Sequence, residues 1–371
     1  MTNNNNNNNN IPASNLSLTY TTPESLPRLT HTAIAPPTPT QVVVAIKAAA
    51  INPVDIQLWG NPVLGWLAGA TEKGIGRDYS GEIVAAGSDA ARRGWDVGTA
   101  VFGLCVRPTA QGSFAKYIAV DVDREPLARK PLLLAHAQAA AVPLVALTAY
   151  AVLDWLPSSP SPRARDAAPR RVIVAGASGG VGMWVVQLAK KVYGCYVIGV
   201  CSGRNAGFVK GLGADEVVSY DEVGDVKQVL LGKRREGGKF DLYVDCVGGT
   251  EVFGYWRELL HTTGAYITIV GDKTSRTAIG GPLTYFTYPS QVMRYVQGYL
   301  FGPRYANVIL HEKSELLEQA GQLAEKGDVE VLVQDVVKGI LHEEGHKEAW
   351  EKVKGYMVEG RVRGKIVVEI A

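Results

Sequence analysis

RVIVAGASGGVGMWVVQLAKK, residues 171–191, decides the reading of the chain. An apolar, β-branched run enters a glycine-rich turn, and a second apolar run of helical length follows. A buried strand that ends in such a turn and opens a helix offers unpaired backbone N–H groups at the positive end of the helix dipole. That arrangement grips a pyrophosphate. In AGASGGVG the pattern GxGxxG is met by Ala177, Gly179 and Gly182, with alanine in the first glycine's place. The pattern alone is weak, and its position between strand and helix gives it meaning. Ser178, Gly179, Gly180, Val181 and Gly182 are therefore the candidate phosphate-binding residues. Gly179 admits the pyrophosphate to the backbone, and Gly182 lets helix and strand pack closely.

Downstream, apolar strands VIVAG, YVIGVC, EVVSY, FDLYVDCVG and AYITIVGD alternate with helical segments near 181–192, 205–212, 222–232 and 250–262. Near-continuous apolar strands joined by helices predict a doubly wound parallel sheet covered on both faces. A site for NAD would place an acidic residue at the end of the second strand, to accept the ribose hydroxyls. Here Cys201 stands at that place, Ser202, Arg204 and Asn205 follow, and Tyr220 closes the next strand. A carboxylate would repel a 2′-phosphate, whereas hydroxyls and a guanidinium bind one, so the expected cofactor is NADPH. Arg204 as a solvated loop residue is the competing reading.

At 371 residues the chain exceeds one ordinary core, and two domains are expected. From Leu16 to Val120, short apolar runs broken by Gly and Pro read as an all-β, barrel-like lobe. An Ala-rich helical stretch, His136 to Leu153, leads to the exposed loop 157–170. After Asp272 come an irregular aromatic region, helices at 313–326 and 346–358, and a closing strand GKIVVEI that returns to the first lobe. The expected boundaries are a disordered asparagine-rich tail at 1–15, a β domain from 16–135 and 308–371, and a nucleotide domain at 136–307. A net charge of +2 gives no reason to expect nucleic acid as partner, and no apolar run reaches the roughly 18 residues needed to span a membrane. Four scattered cysteines with no CxxC pair fit reduced thiols and a cytoplasmic address.

The motifs VALTAY, GASGGVG and LGADEVVSY, in this order after a β lobe, resemble the medium-chain dehydrogenase/reductase superfamily. AINPVDIQ (50–57), GRDYSGEIVAAGS (76–88) and GKIVVEI are similar to its zinc-free quinone oxidoreductase branch, near the reticulon-interacting mitochondrial oxidoreductases and their fungal relatives. The resemblance implies an α/β fold, a Rossmann doubly wound parallel sheet plus a GroES-like β-barrel domain. It implies that Thr148, Cys246, Val247, Gly248, Val270 and Gly271 line a nicotinamide cleft. It also allows a homodimer, and a mitochondrial address as the alternative to the cytoplasm.

Zinc-dependent members hold their metal with a Cys, a His-Glu pair and a second Cys. At the matching places this chain has Asn52, Arg77-Asp78 and Leu144, which lack thiolate and imidazole, so no metal is expected. Arg77 and Asp78 would pair across the vacated place. Asn52 either donates to a substrate carbonyl as the catalytic group or only holds the turn before Pro53. Trp59 is a candidate to stack on substrate, and Tyr285, Phe286 and Tyr288 form either a lid or an oligomer interface. HEEGH (342–346) matches a zinc-protease pattern, but Gly345 and the polar flanks favour the start of a surface helix. The expected activity is NADPH-dependent hydride transfer to a quinone or an α,β-unsaturated carbonyl. The alternatives are an NADPH-binding regulatory or interaction protein, and an enoyl reductase acting on acyl thioesters.

Overall fold

The computed structural model describes residues 12–63, 66, 69, 71–107, 111–158 and 168–371. These divide into two compact units. The first takes the described residues up to Leu144 with Glu312–Gly327 and Val331–Ala371, and the second takes Val145–His311 with Asp328–Glu330. The asparagine tract and most of the 157–170 loop lie outside the described residues.

In the first unit, strands β1 (Ser14–Tyr20), β2 (Arg28–Ala33), β3 (Gln41–Ile51), β4 (Lys73–Gly74), β5 (Asp78–Ala86), β6 (Ala100–Leu104), β7 (Tyr117–Asp121) and β8 (Leu127–Arg129) run in chain order. Ser14 and Asn15, expected in the tail, instead begin β1. Asn15 is buried because its side chain exchanges hydrogen bonds with the backbone N–H and C=O of Tyr117. The 11-residue β3 organises the unit. One of its edges pairs with β5, and the other is shared by β7 at residues 41–45 and, at 48–51, by the C-terminal strand β16 (Lys365–Glu369). Strand β15 (Val333–Val337) pairs parallel to β16. The closing strand lies in the first unit. The core holds Leu18, Val44, Tyr79, Ile83 and Ile366, all at most 1% exposed.

Strands β9 (Arg171–Ala175), β10 (Tyr196–Cys201), β11 (Glu216–Ser219), β12 (Phe240–Asp245), β13 (Leu260–Thr268) and β14 (Arg304–Asn307) form the second unit's sheet. Its order is β11-β10-β9-β12-β13-β14, with every pair parallel. The chain moves from β9 to one side and then returns to the other, so a crevice opens at the carboxyl end of β9. The sequence reading differs in three places. The stretch 250–262 is a 3₁₀ turn and a short helix, Trp256–Leu259, before β13 begins at Leu260. The supposedly irregular region holds the 13-residue helix Pro289–Phe301 and the sixth strand β14, anchored by Asn307, Gln291 and Thr284, which hydrogen-bond one another in the interior. His136–Leu153 is two helices, because Pro143 has no N–H for the ladder and opens the second.

Candidate active site

The glycine turn follows β9. Gly176 has φ +76, the left-handed region that favours glycine, and its N–H and that of Ala177 both donate to the Val200 carbonyl of β10. The tight-turn glycine is therefore Gly176, one residue ahead of the Ala177 that the pattern had assigned. Gly182 sits where a Cβ would lie 2.1 Å from the Gly176 carbonyl oxygen, so only glycine lets the helix Gly180–Gln187 pack this closely. At Gly179 a Cβ would meet only the Gly176 oxygen at 3.4 Å and would otherwise point into open space. The N–H groups of Gly180, Val181 and Gly182 form the first turn of that helix, which has no partners within it.

Asn205 ties this turn to the end of β10, its Nδ2 donating to Ser178 Oγ at 3.1 Å and to Ser202 Oγ at 3.2 Å. Ser202 and Asn205 are buried, while Arg204 and Tyr220 are exposed. On the other side of β9, Asp245 and Thr268 close β12 and β13 in register. Asp245 Oδ1 accepts the N–H groups of Val247 and Gly248, and its Oδ2 accepts from Thr268 Oγ1. Thr268 Oγ1 in turn accepts the N–H groups of Val270 and Gly271. One buried pair thus holds both loops that carry the expected nicotinamide-lining residues. Burial raises the Asp245 carboxyl, and the donors from Gly248, Val247 and Thr268 oppose that rise. Thr148 is buried on the helix Pro143–Leu153, and burial also pushes the Cys246 thiol well up.

The first unit carries a second polar cluster. Antiparallel register brings the starts of β5 and β16 against the end of β3, so Asp78, Lys365 and Asn52 meet. Lys365 Nζ lies 2.9 Å from Asp78 Oδ2 and also donates to Asn52 Oδ1 and to the Ile51 carbonyl. Asn52 Nδ2 donates to Asp78 Oδ2 at 2.8 Å, and the Leu144 N–H donates to Oδ1 at 2.9 Å. Asp55 accepts the Asn52 N–H at 2.7 Å and faces Arg77 Nε at 3.8 Å, while Arg77 also donates to the Cys105 carbonyl. Arg77 and Asp78 do not pair with each other as expected. Each has another opposite charge, because side chains on consecutive strand residues point to opposite faces.

The sequence matches the family profile "Alcohol dehydrogenase GroES-like domain" over residues 38–131 and "Zinc-binding dehydrogenase" over 180–298. The NAD(P)H oxidoreductase RTN4IP1, mitochondrial, of Danio rerio is 30% identical over 351 residues, covering 90% of this chain and 84% of that protein. The chain belongs to the medium-chain dehydrogenase/reductase superfamily. The trans-enoyl reductase pgmF of Aspergillus terreus is 28% identical, over 90% of this chain and 87% of its own. The solved quinone oxidoreductase of Coxiella burnetii has a TM-score of 0.73 at 23% identity, over 96% of this chain and 100% of that one. That likeness carries the fold, a Rossmann sheet with a GroES-like domain.

The nicotinamide dinucleotide used by the superfamily fits the second unit, since Gly179 leaves its outer side open and a helix start with spare donors adjoins it. The superfamily's catalytic zinc does not fit the first unit. The matched donors are a carboxamide, a carboxylate already paired to an ammonium, and the aliphatic Leu144. The cation at that place is the chain's own Lys365.

Lys365 and Asp245 went unnoticed in the sequence, although each had a signal. Both are charged residues at the end of an otherwise apolar strand, where a buried charge needs a partner. The structure bears on three other expectations, and it bears out the reading of HEEGH as the start of a surface helix. Trp59 is packed, with its Nε1–H on the Ser25 carbonyl and its ring edge-on to Trp350 at 5.3 Å. Tyr285 joins the core, its hydroxyl accepting the Asn307 N–H, while Phe286 is 85% exposed. His346 opens the helix His346–Glu359 and His342 precedes it, so the two do not share a helical face.

Burial pushes the Asp55 carboxyl up to about 7, against the opposing pull of Arg77. A raised carboxyl keeps its proton in the folded state over a range where the unfolded chain has lost it. This group therefore costs stability as pH rises from about 4 to about 7. Asp55→Asn should flatten that part of the profile, so thermal unfolding from pH 4 to 8 should show the variant gaining on wild type toward neutrality. Parallel curves would contradict the assignment.

Proposed function

We propose that the chain is an NADPH-dependent reductase that delivers hydride to a quinone or an α,β-unsaturated carbonyl without a metal. The observation that carries this reading is the open glycine cradle beside a β10 end that has Cys201, not an acid, at its last position. When bound, the reduced nicotinamide supplies the hydride. Gly180, Val181 and Gly182 hold the pyrophosphate with their N–H groups, and Ser202, Arg204, Asn205 and Tyr220 form the 2′-phosphate site. Thr148, Val247, Gly248, Val270 and Gly271 line the nicotinamide. Asn52 gives one amide hydrogen to Asp78 and offers the other to the acceptor's carbonyl oxygen as negative charge gathers there. Lys365, by donating to Asn52 Oδ1, fixes which way that carboxamide faces. Solvent returns the proton.

NADPH oxidation should be seen with quinones or enones and should persist after treatment with a chelator. Tight NADPH binding without oxidation by any acceptor would instead favour a regulatory protein. Preference for an acyl thioester would favour the enoyl reductase reading, which the pgmF relative supports.

We also assign a homodimer. The helix Pro289–Phe301 and its neighbours expose Phe286, Met293, Tyr299, Leu300 and Phe301 at 61–85%. With the adjoining partly exposed apolar residues they form a surface of the kind that marks a protein interface. Light scattering should give twice the chain mass, and Tyr299→Glu with Phe301→Glu should give monomers; a monomeric wild type sinks the assignment. No helix among the described residues is long and apolar enough to cross a membrane. The assigned address is the cytoplasm, with mitochondria the alternative that the Danio rerio relative's name suggests.

A further inference from the structure

The strand end assigned to the 2′-phosphate is already in contact with two carboxylates. Ser202 and the turn Gly203–Asn205 follow β10, and the turn begins with the N–H of Gly203. That N–H donates to Asp221 Oδ1 at 2.7 Å. Glu222 lies against the same glycine, where a Cβ would come within 1.9 Å of its Oε1. Both acids sit just past β11, directly after Tyr220, and both are exposed. Their influence reaches the strand itself. Burial first, and then Asp221 and Glu222, push the Cys201 thiol up to about 11.

A turn N–H beside Ser202 is the kind of donor a phosphate oxygen takes. We propose that Asp221 and Glu222 are specificity residues, whose carboxylates occupy the donor and the space that the 2′-phosphate of NADPH would claim. The chain therefore favours NADPH over NADH only modestly. This inference rests on the reading of Ser202, Arg204 and Tyr220 as the 2′-phosphate site, and it accounts for something those three leave open. They attract the extra phosphate, while the two acids beside them repel it. NADH carries no phosphate there and leaves the Asp221–Gly203 contact in place. NADPH must displace that contact or bind beside like charge.

The test is dinucleotide binding to the full chain, measured by calorimetry and independent of any acceptor. Wild type, Asp221→Asn, Glu222→Gln and the double variant are each titrated with NADPH and with NADH. The double variant should bind NADPH about 10-fold more tightly, while its affinity for NADH moves less than about 2-fold. Because the acids are exposed, the gain should shrink at high salt. Glu222→Gln keeps the Asp221–Gly203 contact, so it reports the charge effect even where Asp221→Asn rearranges the loop.

An unchanged NADPH-to-NADH ratio in all variants overturns the inference. So does weaker NADH binding in Asp221→Asn, which would make Asp221 a ribose ligand. Wild type that binds neither dinucleotide overturns the underlying reading, and is distinguished from the other failures by the absence of any signal.

Discussion

Asp78→Ala is expected to destabilise the first unit by about 3–5 kcal/mol, because it leaves a buried ammonium without its counter-charge. Asp78 is fully buried and Lys365 is 4% exposed, so water cannot substitute for the lost carboxylate. Among the described residues Lys365 would keep the Ile51 carbonyl and the Asn52 Oδ1, and the Leu144 N–H would lose its bond to Asp78 Oδ1. A loss of this size should lower the melting temperature by on the order of 10 °C. The converse change, Lys365→Met, should cost less, since the remaining carboxylate still accepts from Asn52 and Leu144. Removing both charges, as Asp78→Leu with Lys365→Met, should recover most of the loss, to within about 2 kcal/mol of wild type. Thermal unfolding of the four proteins measures these losses. Asp78→Ala melting within about 2 °C of wild type would show the pair to be energetically idle.

The same network shows where the sequence was legible. β3, β5 and β16 could each be read from their apolar runs, because a strand's composition reports its own burial. The pairing of Asp78 with Lys365 could not, because the two are far apart in the chain and meet only through the registers of β3 with β5 and with β16. Adjacency in sequence suggested Arg77 for Asp78, and strand geometry sends those two side chains apart. The nucleotide lobe was easier, since turn, strand and helix there are contiguous and glycine marks each constraint. Even so, the pattern was placed one residue late at its first position. The positive φ of Gly176 lies in the backbone, and alanine at 177 fits the pattern as written. The helix Pro289–Phe301 was missed for a different reason. Its exposed face is apolar and aromatic while Gln291 and Gly298 are its buried residues, which inverts the pattern by which an amphipathic helix is recognised.

Gly182→Ala is expected to weaken NADPH binding by about 100-fold or more, equal to at least about 2.7 kcal/mol, and the cause is backbone contact, not loss of a ligand group. The added methyl would stand 2.1 Å from the Gly176 carbonyl oxygen and 2.8 Å from the Ala177 Cα, and neither atom belongs to a side chain that can rotate away. The helix Gly180–Gln187 must then retreat from β9, carrying its first-turn N–H groups away from the pyrophosphate. Some stability should be lost with it, because Met183, Trp184 and Val185 are at most 1% exposed and move with the helix. Gly179→Ala separates binding from packing. Its methyl meets one atom at 3.4 Å and otherwise enters the space assigned to the cofactor. It should leave the melting temperature of the cofactor-free protein unchanged while lowering affinity by about 10-fold, through exclusion of the pyrophosphate. Titration and melting of both variants therefore test the cradle from two sides. If Gly179→Ala bound NADPH as well as wild type does, the pyrophosphate would not lie over that glycine, and the assigned binding mode would be wrong whatever happened at Gly182.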